Sequence, residues 1–271
     1  MLDIFKTILF GILEGITEWL PISSTGHLLL LDQFLKLNVS NSFKELFMVV
    51  IQLGAILAVI VLYFSTLNPF SFKKNSKEKK DTYSLWLKVI VATIPAAIFG
   101  FMLDNIIGKY LSIWQVIVAA LFVYGVLYVI IEKKREGVKM RVLTLNDMSY
   151  KDAFIMGLFQ ILALVPGTSR SGSTILGGII NGIDRPVAAK FSFFMAIPVM
   201  FGASLLKLIK LGFNYNSQEY VILFIGSIVS FLVSLLVIKS LVSYVRNHDF
   251  SVFGWYRIIL SIVLVFVFLI K

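Results

Sequence analysis

The chain has 271 residues, is 58% hydrophobic and contains no cysteine. That apolar share lies well above the norm for a soluble domain, and the missing cysteine excludes disulfides, thiolate metal sites and cysteine nucleophiles. The net charge of +10 is read as basic cytoplasmic loops facing anionic lipid, so the expected partner is the bilayer and no nucleic acid is expected. Strand-length alternating segments are missing, so a polytopic all-α membrane protein is expected rather than a β-barrel.

The first apolar stretch, about 2–35, carries Asp3 and Lys6 in front and is interrupted by Glu14 and Glu18, with no small-residue cleavage site. It is therefore expected to be retained, not removed as a signal peptide. Its middle reads Pro21-Ile22-Ser23-Ser24-Thr25-Gly26, a turn between two halves that are too short to cross a bilayer, and the stretch is predicted to be a re-entrant helical hairpin. Three full spans follow at about 44–64, 85–103 and 112–131. A second interrupted stretch, about 152–183, breaks at Pro166-Gly167-Thr168-Ser169-Arg170-Ser171-Gly172 and is predicted to be a second re-entrant hairpin. Three more spans follow at about 187–211, 219–241 and 253–270, which makes six transmembrane helices and two hairpins in one integral membrane domain, 1–271.

Orientation follows from Lys and Arg. The 65–84 loop holds Lys73, Lys74, Lys77, Lys79 and Lys80, and the 132–151 loop holds Lys133, Lys134, Arg135, Lys139, Arg141 and Lys151. Both are therefore expected in the cytoplasm, with the termini and the nearly uncharged 104–111 and 212–218 loops outside. Lys207 and Lys210, at an outer end, run against the pattern. The halves, about 1–131 and 132–271, then have opposite orientation, an inverted-topology repeat. At an offset of 146, Gly11 matches Gly157, Glu14 matches Gln160, Ser23 matches Ser169 and Gly26 matches Gly172. Such repeats place a site where the broken helices meet, which predicts that Ser23 to His27 face Thr168 to Thr174.

The residues at these two tips carry phosphate chemistry. An intramembrane Arg is costly and needs a partner; the planar fork of Arg170 suits a phosphate. Backbone amides at a helix start and the small hydroxyls around Arg170 add donors. Glu14 and Glu18, one helical turn apart, need a cation, a shared proton or an Arg; Arg170 and a divalent metal are the candidates, and an acidic face meeting water is the alternative. His27, whose only companion histidine is His248, can reach a hydroxyl of Ser23 or Ser24, an arrangement that activates a nucleophile; a structural His is the alternative. With Arg170 and His27 as the site's positive charges, an anionic phosphate substrate calls for Mg²⁺ or Ca²⁺ on Glu14 and Glu18. Trp19, Trp86, Trp114 and Trp255 read as interfacial anchors, and Gly54, Gly100, Gly177, Gly178 and Gly202 as helix-packing positions.

Two runs carry a resemblance. Glu14-Gly15-Ile16-Thr17-Glu18-Trp19-Leu20-Pro21-Ile22-Ser23-Ser24-Thr25-Gly26-His27 and Pro166-Gly167-Thr168-Ser169-Arg170-Ser171-Gly172-Ser173-Thr174-Ile175 resemble the two signatures of the undecaprenyl-diphosphate phosphatase family, the bacitracin-resistance type. The resemblance implies hydrolysis of undecaprenyl diphosphate to the monophosphate and inorganic phosphate. It also implies a bacterial plasma-membrane location, a site opening to the outer face, and recycling of the lipid carrier of cell-wall synthesis. It maps an acidic motif onto Glu14 and Glu18, a Ser/His motif onto Ser23, Ser24 and His27, and an Arg motif onto Ser169, Arg170 and Thr174. Thr25, Gly26, Thr168, Ser171 and Gly172 join the expected phosphate-binding set. Ser24 is expected to attack phosphorus with His27 accepting its proton, attack by His27 itself being the alternative. A homodimer is a further expectation. The acid-phosphatase-like lipid phosphatases fit poorly, because no Lys-x₆-Arg-Pro precedes His27 and no His follows Arg170 before His248. A polyprenyl-phosphate carrier or flippase, needing no nucleophile, is the competing function.

Overall fold

The computed structural model describes residues 2–270, apart from the side-chain surroundings of 104, 105 and 108. The terminal residues Met1 and Lys271 lie outside the described range. The chain is helical throughout: α1 (Leu2–Thr17), α2 (Ser24–Phe34), α3 (Asn41–Leu62), α4 (Phe64–Leu67), α5 (Ser76–Ile106), α6 (Trp114–Arg135), α7 (Tyr150–Leu162), α8 (Arg170–Ile180), α9 (Arg185–Leu211), α10 (Ser217–Tyr244) and α11 (Ser251–Ile270). The only β pairing among the described residues is one parallel bridge, Val142 with Ile183. Among the described residues, six helices, α3, α5, α6, α9, α10 and α11, are long and apolar enough to cross a membrane. The protein is therefore a multi-pass membrane protein, as expected from the sequence.

Capping explains several boundaries. Ser40 caps α3, and reciprocal boxes start α7 (Ser149 with Asp152) and α10 (Asn216 with Glu219). Several sequence boundaries shift; α6, for one, runs on to Arg135 and takes Lys133, Lys134 and Arg135 into its last turn. The predicted 65–84 loop is shorter, because α5 already begins at Ser76 and carries Lys77, Lys79 and Lys80 on its first turns. The predicted 104–111 loop is helical, with α5 running on into one wide π turn over Ile107–Leu111. No glycine or proline between Phe101 and Ser112 other than Gly108 is present to break it.

α1 and α2 form one short hairpin and α7 and α8 another, with lengths of 16, 11, 13 and 11 residues, each short of the roughly 20 a spanning helix requires. Each hairpin leans on a long helix from the other half of the chain. Cβ atoms at Gly11 and Gly15 would stand 2.8 Å from the carbonyls of Gly226 and Ser230 on α10, and one at Gly157 would stand 2.4 Å from Ala92 O on α5. Small residues let these backbones approach without a hydrophobic driving force between helices. α6 and α11 cross at Gly125 and Gly254, where each residue's missing Cβ would lie 2.8 Å from the other's carbonyl. This crossing lies beside the two hairpin turns: Leu121 packs on Gly26, and Ile117 O fills the space a Cβ would take at Gly167.

Some expected roles change. Gly54 and Gly177 are tight contacts, against Ser227 O and the Phe159 side chain, and Gly178 meets Ala188. Gly100 makes only an ordinary contact with Leu164, and Gly202 faces open space, so neither is a close-packing position. Trp19 is no interfacial anchor: it is fully buried and packs edge-on against Phe193, 5.2 Å between centroids. It lies in the turn between α1 and α2, where Glu18, Pro21 and Ile22 are buried as well.

Candidate active site

The two turns are built alike. Ser23 and Ser169 sit at φ 72° and φ 74°, the only described non-glycine residues with positive φ. Each caps the helix that follows: Ser23 Oγ accepts from Gly26 N at 3.4 Å and Ser169 Oγ from Gly172 N at 3.1 Å. Left-handed backbone at a residue with a side chain costs on the order of 1–3 kcal/mol and persists where the surroundings over-determine it, as at active sites. The result is two helix N-termini, α2 and α8, whose first N–H groups have no acceptor within their own helix.

The tips meet through side chains. Arg170 Nε and Nη2 donate to Glu18 Oε1 at 3.3 and 2.9 Å, while Nη1 donates to Ser192 O at 2.7 Å and lies 3.3 Å from Ser192 Oγ. Ser171 Oγ donates to the carbonyls of Glu18 and Leu20 at 3.0 and 3.2 Å, fastening the second turn onto the first. Thr174 Oγ1 lies 2.7 Å from Ser192 Oγ and 2.8 Å from Arg170 O. The pair Glu18–Arg170 is nearly closed off, with side chains 7% and 11% exposed, and Trp19 lies beside the guanidinium at 5.8 Å.

Ser24 Oγ donates to Glu18 Oε2 at 3.1 Å. The expected Ser24–His27 pairing does not form. His27 Nδ1 lies 2.8 Å from Ser23 O, and Nε2 lies 2.6 Å from the hydroxyl of Tyr256, whose ring stacks on the imidazole. A carbonyl can only accept, so Nδ1 carries the proton and, in the neutral ring, Nε2 accepts from Tyr256. Both nitrogens are committed, and Glu18 is the acceptor beside Ser24. Ser23, Gly26, Thr168, Ser171, Gly172 and Thr174 are buried around the tips and Ser169 partly so, while Thr25 points away and is exposed.

Glu14 is fully buried, and neither carboxylate oxygen has a hydrogen-bond partner. Among the described residues no group of three or more His, Asp and Glu side chains gathers in one place. The orphaned Glu14 carboxylate nonetheless fits a hard cation that takes its remaining oxygens from water and substrate phosphate, as Mg²⁺ does, with Glu18 Oε2, which accepts one bond from Ser24, as the second carboxylate oxygen it could use.

Three functional residues escaped the sequence reading. Ser192 accepts from Arg170, and its signal was one of only two hydroxyls, with Ser204, inside the apolar run of α9. Tyr256 engages His27. Arg257, fully buried, donates to Pro21 O and Gly167 O, one carbonyl from each turn, at 3.1 and 3.0 Å. It adds a positive charge to the two counted from sequence. Its signal was an Arg inside a predicted span, a membrane-embedded charge like Arg170.

The bacitracin resistance protein BacA family model matches residues 7–263. An undecaprenyl-diphosphatase of Enterococcus faecalis is 54% identical over 97% of this chain and 96% of its own length. That of Desulfitobacterium hafniense is 51% identical over 99% and 97%, and that of Acetivibrio thermocellus 52% identical over 99% of each. With both signature turns built into one buried cluster and this likeness running nearly end to end, the chain belongs to the bacitracin resistance protein BacA family.

Proposed function

We infer that this protein is an undecaprenyl-diphosphatase. It hydrolyses undecaprenyl diphosphate to undecaprenyl phosphate and inorganic phosphate in the bacterial plasma membrane, recycling the lipid carrier of peptidoglycan synthesis and thereby giving bacitracin resistance. The observation that carries the reading is the buried set Ser24–Glu18–Arg170, a hydroxyl, an acceptor for its proton and a guanidinium, joined across two helix N-termini. A pure carrier needs no such arrangement.

The chemistry follows from the contacts. Ser24 Oγ gives its proton to Glu18 Oε2 as it attacks the terminal phosphorus. A new O–P bond forms, the bridging P–O bond breaks, and the lipid monophosphate leaves. Arg170 keeps one Nη2 hydrogen beyond the one given to Glu18; with the α2 and α8 amides it stabilises charge on the equatorial oxygens. Glu18 passes the Ser24 proton to the departing lipid phosphate and is a base again when water cleaves the phosphoserine: it takes the proton of the attacking water, the Ser24 Oγ–P bond breaks, and Ser24 Oγ recovers a proton from Glu18 as phosphate leaves. Glu14 and Glu18 would hold a divalent cation, Mg²⁺ or Ca²⁺. That ion supplies neutralisation of the diphosphate charge. His27, locked between Ser23 and Tyr256, shapes the first turn instead of taking the Ser24 proton.

The short hairpins are proposed to be re-entrant, in an inverted repeat with the basic 65–84 and 132–151 loops in the cytoplasm and the site open to the outer face. The Lys and Arg distribution supports this, as does the packing of each hairpin on a long helix of the other half. The deciding experiment is release of inorganic phosphate from undecaprenyl diphosphate by the purified protein in detergent, where no sidedness exists. Activity in the micelle supports the enzyme; lipid movement in proteoliposomes with no phosphate release refutes it.

A further inference from the structure

Arg257 stands about two turns into α11 and is fully buried. Among the described residues it has no carboxylate partner at ion-pair distance. A buried charge survives only when its donors find acceptors, and the acceptors here are all backbone carbonyls. Nη1 donates to Pro21 O at 3.1 Å, Nη2 to Gly167 O at 3.0 Å and Ala120 O at 3.5 Å, and Nε to Leu121 O at 3.4 Å. The Tyr124 ring lies 5.7 Å from the guanidinium.

The choice of carbonyls is informative. Pro21 lies three residues after Glu18, and Gly167 lies three residues before Arg170. Both belong to irregular backbone, where a carbonyl at membrane depth has no helical partner and must be satisfied by something else. One side chain therefore satisfies both turns at once. It also touches the start of α8, since a Cβ at Gly172 would lie 3.0 Å from Arg257 Nη1. The base from which it reaches is firm: α11 crosses α6 at Gly254 and Gly125, and three residues beyond each glycine stand Arg257 and Tyr128. Tyr128 makes the corresponding reach from α6, its hydroxyl donating to Gly172 O at 2.6 Å.

We propose that Arg257 is a positioning residue of the phosphatase site, a brace that holds the turn bearing Glu18 and Ser24 in register with the turn bearing Arg170. It touches neither the Glu18–Arg170 pair nor the reacting atoms, and it acts through the two backbones. The proposal rests on the phosphatase reading above. A lysine cannot replace the planar fork, because its single ammonium cannot donate toward both turns with the same spread. A shift of about 1 Å between the tips is enough to lower turnover on the order of 10²-fold.

The test compares wild type, Arg257→Lys, Arg170→Lys and the double variant, all full-length in detergent, for kcat and KM on undecaprenyl diphosphate, with elution profile and Tm as folding controls. Wild-type turnover tests the phosphatase reading, and only the ratios test the brace. Arg257→Lys is expected to fold, to lose about 10²-fold in kcat with KM within about threefold of wild type, and to add much less than that loss to Arg170→Lys, because both act on one contact. If Arg257→Lys is not monodisperse, Arg257→Gln replaces it under the same criteria. Wild-type-like kcat, losses that multiply in the double variant, or failure of both substitutions to fold would each overturn the proposal, the last by assigning Arg257 to stability alone.

Discussion

Glu18→Gln is the sharpest perturbation of this site, because the substitution keeps the shape and removes the charge. The Glu18 carboxylate receives two hydrogen bonds from Arg170 and one from Ser24. A glutamine can accept from one of these partners with its oxygen but must present an NH₂ to the other. Turned toward Ser24, it makes the hydroxyl an acceptor and leaves its proton with nowhere to go. Turned toward Arg170, it places donor against donor. Removing one member of a buried ion pair costs about 3–5 kcal/mol of folding stability, which the Tm control reads. Loss of a positioned general base costs about 10²–10⁴ in rate. A fall in kcat of about 10³ is therefore expected for Glu18→Gln, measured as phosphate release in micelles with Tm as control. Glu14→Gln should lose far less, since no protein hydrogen bond is made to either Glu14 oxygen and the chain already places Gln160 at the corresponding point of the second hairpin. Its loss should be recoverable by raising the cation concentration. Turnover of Glu18→Gln within tenfold of wild type, or an equal and unrecoverable loss in Glu14→Gln, refutes the placement of Glu18 at the centre.

Ser24→Ala should lose roughly 10³-fold or more in kcat, as for removal of a catalytic nucleophile; quenched wild type should carry acid-stable phosphate on Ser24, and acid-labile phosphate on His27 would reverse the assignment. Chelation should abolish hydrolysis and Mg²⁺ or Ca²⁺ restore it, whereas full turnover in excess chelator would mean that Glu14 is held by a proton. Cysteines introduced at Ser76 and at Gly212 into the otherwise cysteine-free chain should label from opposite sides of intact cells, and labelling from one side removes the inverted repeat. Tyr256→Phe should cost only about 2–10-fold, the worth of one net hydrogen bond of about 0.5–1.5 kcal/mol; a loss as large as that of Ser24→Ala would return His27 to the proton transfer itself.

What the sequence made legible is what periodicity and composition govern. The six spans came from apolar runs of bilayer length, and their largest end shifts are extensions by capping or uninterrupted helix formers, as at Ser76 and beyond Leu103. The convergence of Glu18, Ser24 and Arg170 was readable because each is anomalous in an apolar segment. The partner of each was not. Ser24 chose Glu18 over His27 because of where the positive-φ serine turn aims the following residue, and no spacing rule encodes that. Ser192, Tyr256 and Arg257 lie in helices that read as ordinary spans; the roles of Tyr256 and Arg257 depend on which face of α11 its crossing with α6 turns toward the tips, and that of Ser192 on how α9 packs against α8. Trp19 was misread for a related reason: the same indole serves an interface or a core, and only the burial of the turn between α1 and α2 decides which.

The 146-residue offset explains why two similar turns make one site and not two. Ser23 and Ser169 share a strained φ and a cap, so the next residue in each chain segment stands at the same place, the first position of a helix. In the first turn that residue is Ser24, and in the second it is Arg170. Both address a single acceptor, Glu18, whose counterpart at the same offset is Leu164. The second turn has no carboxylate at that point, so the buried pair at the tips carries one acid and one guanidinium and needs no further neutralisation. Keeping the scaffold twice and the carboxylate once puts the hydroxyl, its proton acceptor and the guanidinium around one point. The cap geometry is thus common to both halves, while the chemistry comes from the positions where the halves differ.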